Sequence, residues 1–259
     1  MTDAYYLPLG DGGYEPTLAT ESPWDSTAQH GGPPAALLAH AVGATVGDGM
    51  RLGRISVDFL GPIPRQPLTV RVTPLKPGRR VSLAEATMTV GARVVAVART
   101  WHIATGPRPP AESERDVPPP LPPAGPAEHQ WFRGLGRWGY GEATEWRFTL
   151  GGFDELGPAD VWTRVRLPLV AGTPLSGQDR ALVVADSANG LSATLPMGEW
   201  FSIPPTMTTT FVREPVGEWV HLRTRTHLAE DGLGLAHADL LDPTGFIGEV
   251  SQPLLVQQR

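Results

Sequence analysis

The feature that most constrains this 259-residue chain is a weak internal repeat with a nearly constant spacing. Arg54 to Pro62 reads RISVDFLGP and Met207 to Pro215 reads MTTTFVREP, so the two final prolines lie 153 positions apart. Val94 to Ile103 and Ile247 to Val256 align at the same offset. Self-similarity at a fixed spacing is typical of one supersecondary unit used more than once. The sequence therefore predicts two similar units, although any two antiparallel meanders would share some of this alternation.

A proline-rich block divides the chain near its middle. Thr105 to Pro126 reads TGPRPPAESERDVPPPLPPAGP. Because proline fixes φ and lacks a backbone N–H, this block can form neither a helix nor a central strand, and we expect a stiff, extended connector. The predicted organisation is an N-terminal repeat over residues 1–104, a linker over 105–130 and a C-terminal repeat over 131–259.

Each half has the pattern of one main helix and a run of strands. Pro33 and Pro34 precede the apolar run AALLAHAV, and proline suits the first turn of a helix because its missing N–H would be unpaired there. In the second half a helix is predicted to include Arg180 to Asp186. Alternating segments between Pro and Gly turns predict the strands. They lie at 54–60, 68–75, 80–90 and 93–103, and at 145–150, 159–168, 206–213, 219–228, 234–241 and 246–256.

These elements define a fold class. A helix with an apolar face must bury that face against another element. One long helix wrapped by an antiparallel sheet is the hotdog arrangement, so the predicted class is α+β, a double hotdog of two tandem repeats. Pairing the two sheets edge to edge would also shield those edges from other chains.

Composition and charge exclude several classes of function. A formal net charge of −6 argues against a nucleic-acid partner or an anionic membrane surface. The chain has no cysteine, which excludes disulfides, thiolate metal sites and a cysteine nucleophile. No stretch approaches the roughly 18 apolar residues of a membrane helix and no signal-peptide pattern is present, so we expect a cytoplasmic protein without membrane insertion. The serine-hydrolase elbow, the P-loop and the HExxH zinc motif are absent, and no metal or cofactor is predicted.

Several segments resemble the TesB-like, acyl-CoA thioesterase II-like family and together cover nearly the whole chain outside the linker. HGGPPAALLAHA, from His30, and RISVDFLGPIPRQPLTV, from Arg54, resemble the first repeat of the family. EWRFTLGGF, VWTRVRLPLVAGTPL and VVADSANGLS resemble the second repeat of actinobacterial members. VSQPLLV resembles the closing strand that carries the family's glutamine. The resemblance depends on the order and spacing of these pieces.

The resemblance implies a double hotdog and an acyl-CoA thioesterase, which hydrolyses acyl-CoA to a free acid and CoA by an activated water without a covalent intermediate. It implies a catalytic trio of an aspartate on the second helix, a serine or threonine on the next strand and a glutamine on the last strand. Asp186 and Gln252 match these motifs. For the hydroxyl, Thr206 is favoured and then Thr208, although a gapless alignment places Pro205 there. The alternative for both threonines is ordinary strand packing.

The residues themselves fit this chemistry. A carboxylate can act as base on water, and hydroxyl and amide groups can orient that water. Asp186 follows the apolar run LVVA and precedes Asn189 and Gly190, a typical helix stop, so it would lie at the negative end of a helix dipole. Such a local violation indicates function, and the alternative is an aspartate that caps the turn. Gln252 has apolar neighbours, and its alternative is an exposed position on an edge strand.

Substrate contacts are predicted at the helix entry and at the helix stop. His30, Gly31 and Gly32 open the first helix, where glycines let backbone donors approach a ligand closely. We expect them to contact the thioester or the pantetheine arm, with Asn189 and Gly190 also in the binding site. The alternative for His30 is a simple helix cap. The implied partner is the acyl-CoA substrate. The oligomeric state stays open, with a homodimer as one possibility because hotdog proteins often associate.

Two further groups have weaker support. The turn Lys76 to Arg80 could meet CoA phosphates, although such a cluster is more often a solvated hairpin. Trp24, Trp162, Trp200 and Phe201 could line an acyl channel or belong to the core.

Two other functions stay open at this point. A hotdog dehydratase or hydratase pairs a histidine with a carboxylate, and His30 with Asp186 could serve in that role. A non-catalytic acyl-CoA-binding protein would keep the fold without the chemistry, since fold does not fix function. The contacts of His30 and Gln252 bear on the first alternative, and turnover decides the second.

Overall fold

The first half of the chain forms one principal helix and a series of antiparallel strands. The computed structural model describes residues 4–111, 116–124 and 136–259. The elements within 4–111 are β1 (Tyr6–Gly10), β2 (Gly13–Pro16), α1 (Gly32–Gly43), β3 (Met50–Phe59), β4 (Leu68–Lys76), β5 (Val81–Val90) and β6 (Arg93–Ala104). The helix and the four strands after it agree with the prediction. The strands β1 and β2 are an addition to it.

The second half repeats this sequence of elements with additions. Its elements are α2 (Gly139–Ala143), β7 (Thr144–Leu150), β8 (Ala159–Val165), α3 (Gly177–Ala185), α4 (Ala188–Leu191), β9 (Trp200–Ile203), β10 (Thr206–Phe211), β11 (Val220–Leu228), β12 (Leu233–Asp242) and β13 (Gly245–Gln258). The helix predicted around Arg180 to Asp186 is α3, which ends one residue before Asp186. No helix within the described ranges is long and apolar enough to cross a membrane.

The helix α1 is apolar on nearly all sides because it lies in the middle of the core. Pro33 and Pro34 occupy its first turn, and every residue from Gly32 to Ala39 is buried. A helix that is hydrophobic all round is a buried helix. The helix α3 begins with a side-chain cap, in which the N–H of Asp179 donates to Ser176 Oγ at 3.0 Å. Both helices therefore start at residues whose local chemistry favours a helix N-terminus.

The described strands join one antiparallel sheet whose order is mirrored about its centre. The order is β1-β2-β4-β5-β6-β3-β10-β13-β12-β11-β8-β7, and β9 adds to β13. β3 and β10 meet at the centre, where Ser56 lies opposite Thr208. Outward from this pair, β6, β5 and β4 follow on one side and β13, β12 and β11 on the other. The sheet thus runs from one half of the chain to the other without a break.

The two principal helices pack against each other in opposite directions. A Cβ at Gly32 would overlap the carbonyl of Val183, so the first turn of α1 lies directly on the last turn of α3. At the other end of the pair, His40 Nδ1 lies 3.2 Å from Asp179 Oδ2. The N-terminus of α1 therefore meets the C-terminus of α3, and this junction positions the candidate site.

The described part of the predicted linker forms neither helix nor strand, and residues within its segment 116–124 contact the second half. Pro119 O accepts a hydrogen bond from Trp162 Nε1 at 3.0 Å. Asp116 forms an ion pair with Arg223 at 2.8 Å. The following predicted segments lie outside the described residues: 1–3 of the N-terminal repeat, 112–115 and 125–130 of the linker, and 131–135 of the C-terminal repeat.

Candidate active site

Asp186 lies where α3 ends and α1 begins. It is the C-cap residue of α3, and only 10% of its side chain is exposed. Its carboxylate accepts a hydrogen bond from the backbone N–H of Gly31. A Cβ at Gly31 would lie 2.7 Å from Asp186 Oδ2 and 3.0 Å from the ring of Phe59. Only glycine allows this approach of the two helix ends, which explains one glycine of the HGG segment.

Gln252 joins Asp186 to the short helix α4. It lies on β13 and is fully buried. Its Nε2 donates to Asp186 Oδ1 at 2.8 Å, and its Oε1 accepts from the backbone N–H of Asn189 at 3.2 Å. An amide that must donate at one end and accept at the other is fixed in one orientation. The structure therefore brings together Asp186 and Gln252, which lie 66 residues apart in the sequence.

Burial changes the acidity of Asp186. Loss of hydration raises the pKa of its carboxyl from the usual range to about 7, against the opposing effect of the hydrogen bonds from Gly31 and Gln252. A buried carboxylate is disfavoured in its charged form, and hydrogen bonds to it recover part of that loss. At neutral pH both the protonated and the ionised forms are populated.

His30 contacts the same carboxylate as a neutral ring. Burial lowers the pKa of its imidazole to about 3, so the 3.4 Å approach of Nδ1 to Asp186 Oδ2 is not an ion pair at neutral pH. His30 Nδ1 accepts a hydrogen bond from the N–H of Gly32 at 3.2 Å. Because Nδ1 is the acceptor, the proton of the neutral ring is assigned to Nε2. His30 is also one of the residues that line the cavity.

Tyr140 stacks on the imidazole of His30, and it was not predicted from the sequence. The two rings stack with centroids 3.9 Å apart and planes 5° apart. The Tyr140 hydroxyl donates to Val183 O at 3.1 Å and lies 2.7 Å from Ser187 Oγ. Tyr140 thus ties the imidazole to the end of α3. No local pattern marks this residue, because its partners lie more than 40 positions away in the sequence.

The structure does not bring Thr206 or Thr208 to Asp186. Thr206 Oγ1 donates to Val57 O at 2.8 Å, Thr208 Oγ1 lies 3.5 Å from Ser56 Oγ, and neither residue lines the cavity. The reason is the two-residue alternation of strand side chains.

The register shows which residues share a face. Thr209 lies opposite Val250 and Thr208 opposite Ser251, so Gln252 shares its face with Val250 and Thr209. Thr206 and Thr208 therefore point to the other face of the sheet. Pro205, the position that the gapless alignment indicated, lines the cavity beside the one that contains Asp186. The trio of the resemblance is represented here by Asp186 and Gln252 without either predicted threonine.

Asn189 and Gly190 both line the cavity, as predicted for the binding site. The side chain of Asn189 is held by Ser202, with Nδ2 donating to Ser202 O at 2.9 Å and Ser202 Oγ donating to Asn189 Oδ1 at 2.9 Å. Ser202 also lines the cavity and was not predicted.

The residues of the two weaker predictions lie in different environments. Trp24 lines both the cavity at Asp186 and the one beside it, and Trp200 and Phe201 line only the latter. Trp162 instead donates a hydrogen bond to Pro119 O of the linker. The basic side chains in the turn Lys76 to Arg80 are exposed and line neither the cavity at Asp186 nor the one beside it.

Comparison with known proteins adds family and fold. A family model for the acyl-CoA thioesterase C-terminal domain matches residues 114–256, and one for the N-terminal domain matches residues 20–103. None of the curated proteins matches the sequence.

Three solved structures are similar over nearly their whole length. A hot dog fold protein from Alicyclobacillus acidocaldarius is 17% identical with a TM-score of 0.76, and the match covers 98% of this chain and 97% of that one. The tesB protein of Mycobacterium avium subsp. paratuberculosis is 16% identical with a TM-score of 0.70, covering 97% and 95%. An acyl-CoA thioesterase II from Mycobacterium marinum is 15% identical with a TM-score of 0.69, covering 98% and 95%. At these identities the likeness shows an α+β hotdog fold.

The two family models together match most of the chain. The chain belongs to the acyl-CoA thioesterase family, and its reaction is the hydrolysis of acyl-CoA thioesters.

Proposed function

We propose that Asp186, oriented by Gln252, is the general base that activates a water molecule against the carbonyl carbon of a bound acyl-CoA. The observation that supports this most is the 2.8 Å hydrogen bond from Gln252 Nε2 to Asp186 Oδ1 beside the cavity. The other carboxylate oxygen, Oδ2, lies 3.4 Å from His30 Nδ1, so neighbouring groups fix both oxygens of the proposed base. No covalent acyl-enzyme is formed in this mechanism.

The acidity of Asp186 suits a base that works near neutral pH. A general base is most effective when its pKa lies near the operating pH, and burial raises the pKa of Asp186 to about 7. Asp186 takes one proton from the water as the oxygen bonds to the thioester carbon. The C–S bond then breaks, the free acid is released, and the CoA thiolate takes the proton from Asp186. Since a thiol has a pKa of about 8.5, this last transfer is downhill.

We assign the stabilisation of the developing oxyanion to His30. The N–H groups of Gly31 and Gly32 are directed at Asp186 and at His30 Nδ1, and Pro33 and Pro34 have no N–H. We therefore assign these two N–H groups a positioning role, while Gly31 also lines the cavity and a contact of its backbone with the substrate stays a prediction. His30 Nε2 lies on a neutral, stacked and fixed ring that lines the cavity. A preorganised donor of this kind stabilises charge as it forms on the carbonyl oxygen.

A hydratase mechanism fits this site less well. It would use His30 as a base, whereas burial lowers the pKa of His30 to about 3, which makes the ring a poor base near neutral pH. Its Nδ1 is also occupied by the N–H of Gly32. The non-catalytic alternative is tested by turnover itself.

We also propose that the chain is a double hotdog, with repeats at residues 1–104 and 131–259 and a linker at 105–130. The mirrored strand order and the central β3–β10 pair support this division. In this arrangement the first repeat supplies His30 and Gly31, the second supplies Asp186 and Gln252, and the site lies between them. A cytoplasmic location and a homodimer remain proposals, which cell fractionation and light scattering of the purified protein would test.

The experiment is a thiol-reagent assay of CoA release over a panel of acyl-CoA esters. The chain has no cysteine, so the protein itself adds no thiol signal. We expect wild type to turn over, Asp186→Asn to lose turnover while folded, and Thr206→Val to keep it. Turnover that survives Asp186→Asn would remove Asp186 as the base. Saturable binding of every ester without turnover would instead support a binding protein.

A further inference from the structure

We infer that this thioesterase selects acyl-CoA esters whose acyl group is compact and aromatic over esters of long unbranched fatty acids, because the part of its cavity that holds Asp186 is a small pocket walled by aromatic rings. The inference rests on the proposed function, since it takes Asp186 as the position of the thioester. It adds a substrate class, which family membership does not fix.

The cavity has two branches that share a wall at Trp24, Phe59 and Pro62. One branch, of about 190 Å³, contains Asp186 and is here called the aromatic branch. The other branch, of about 450 Å³, extends to Arg259 and is here called the open branch. A bound acyl-CoA has two arms that leave the thioester in different directions, so each branch takes one arm.

The acyl group is assigned to the aromatic branch because buried aromatic rings line it. The buried rings are Trp138, Tyr140 and Trp146, which are 5%, 1% and 7% exposed. Along the open branch, Phe201 and Leu228 are 39% and 38% exposed. CoA carries a charged nucleotide that is costly to bury, so its arm must run toward solvent.

The open branch also ends at a cation. The guanidinium of Arg259 lies 4.2 Å from the ring centroid of Phe201, and its Nε donates to Met197 O at 3.0 Å. An arginine held in this way can meet a phosphate group. This arrangement supports the assignment of the CoA arm to the open branch.

The size of the aromatic branch limits the acyl group. An apolar cavity of about 150 Å³ is sufficient to bind benzene. The aromatic branch has about 190 Å³, and this volume includes the space around Asp186. It therefore has room for one ring and a short spacer, whereas a long alkyl chain would need more space beyond the buried wall.

The walls of this branch are also rigid and suited to a ring. Phe153 meets Trp138 and Trp146 edge to face, with centroids 6.2 Å and 5.5 Å apart, and Tyr140 meets Trp146 in the same way at 6.1 Å. Aromatic pairs favour edge-to-face contact, so a substrate ring can extend this network. Interlocked rings do not fold aside to admit a chain, in contrast to a wall of flexible aliphatic residues.

The test is a comparison of kcat/KM for phenylacetyl-, benzoyl-, hexanoyl-, decanoyl- and palmitoyl-CoA. We expect the best aromatic ester to exceed decanoyl-CoA by at least about tenfold, the scale on which apolar pockets discriminate. Phe153→Ala should enlarge the end of the branch and raise decanoyl-CoA relative to phenylacetyl-CoA by about tenfold. Leu195→Ala, in the open branch, should change all five esters by the same factor.

Two results would overturn the inference. One is a wild-type preference for decanoyl- or palmitoyl-CoA. The other is selective loss of the long esters in Leu195→Trp, which would place the acyl chain in the open branch. If Phe153→Ala does not fold, as judged by its thermal melting, Phe153→Leu provides the same comparison with a smaller gain of space.

A binding measurement separates this inference from the mechanism. Tryptophan fluorescence of Asp186→Asn can be titrated with hydrolysis-resistant S-phenethyl- and S-decyl-CoA thioethers. Tighter binding of the phenethyl compound supports the aromatic branch even if no ester is turned over and the proposed mechanism fails. Equal or weaker binding of the phenethyl compound overturns the inference even if turnover is normal.

Discussion

The two ends of the α1–α3 helix pair contain the same residue types in opposite states. At one end His40, in the last turn of α1, lies 3.2 Å from Asp179, in the first turn of α3. A cation at a helix C-terminus and an anion at a helix N-terminus both follow the helix dipole. At the other end Asp186 lies at the C-terminus of α3 and His30 just before α1. There a charged histidine and a charged aspartate would each oppose the dipole.

The pKa values of the two histidine–aspartate pairs differ between the two ends of the helix pair. The hydrogen bond to Asp179 raises the pKa of His40, against the effect of its partial burial. Burial lowers the pKa of His30 to about 3 and raises that of Asp186 to about 7. One end is therefore an ordinary ion pair that stabilises the helices. The other end keeps His30 as a neutral donor and Asp186 as a base with a pKa near neutral pH. Residues whose placement opposes local stability in this way are expected at functional sites.

The largest expected effect separates the two aspartates. Asp186→Asn should lower kcat/KM by about 1,000-fold, the scale of a lost general base. Asp179→Asn, at the opposite end of the same helix, should leave kcat/KM close to that of wild type. Both variants are assayed with the same ester, and circular dichroism checks their folding. A comparable loss in the two variants would mean that the helix pair, and not Asp186 itself, is what turnover requires.

The second effect concerns Gln252. Gln252→Leu removes the donor to Asp186 and the acceptor of Asn189, so we expect kcat/KM to fall by about 100-fold through misplacement of the base. Since the hydrogen bond from Gln252 lowers the pKa of Asp186, its loss should also move the acidic limb of the pH profile to higher pH. In wild type that limb should lie near pH 7. A fall in rate with an unmoved limb would assign Gln252 a packing role alone.

The third prediction concerns the free energy of unfolding. Whereas Asp186→Asn should lower activity, it should raise this free energy at alkaline pH. The pKa of Asp186 is about 7 in the fold and about 3.9 in an unfolded chain, so its contribution is fully present below pH 4 and is lost as the pH rises through 7. Asparagine cannot ionise and avoids this loss. Urea unfolding at pH 8 should therefore show Asp186→Asn to be more stable than wild type by about 2–4 kcal/mol, with a smaller difference at pH 5. A variant less stable than wild type at pH 8 would contradict the raised acidity.

The sequence predicted those residues of the site that lie in a short motif or depart from a local pattern. The resemblance to the family points to Asp186 and Gln252, and the local sequence adds support, because Asp186 opposes the helix dipole and Gln252 has apolar neighbours in its strand. The helix α1 and the strands after it followed from proline position and alternation. β1 was missed because Pro8 and its mostly exposed side chains give it no apolar alternation.

The threonines show where such reasoning stops. A shift of one residue in a strand moves a side chain to the other face of the sheet, so the choice between Pro205 and Thr206 required the register of β10 against β13. Tyr140 and the rings near Phe153 come from a different segment of the chain and reach the site only through the fold. Their role depends on packing between distant segments, which no periodicity in the sequence records.

The smallest expected effect belongs to the ordinary end of the helix pair. His40→Ala removes a partly exposed ion pair and should lower the free energy of unfolding by no more than about 0.5–1 kcal/mol. Because the pKa of His40 is raised in the fold, its contribution is fully present below about pH 6.5, its unfolded value, and is lost as the pH rises through the folded value. Urea unfolding should therefore show a larger loss at pH 5.5 than at pH 8.5, with kcat/KM unchanged. A larger loss at pH 8.5, or a loss of activity, would mean that this end also contributes to the site and that the contrast between the two ends is smaller than their geometry indicates.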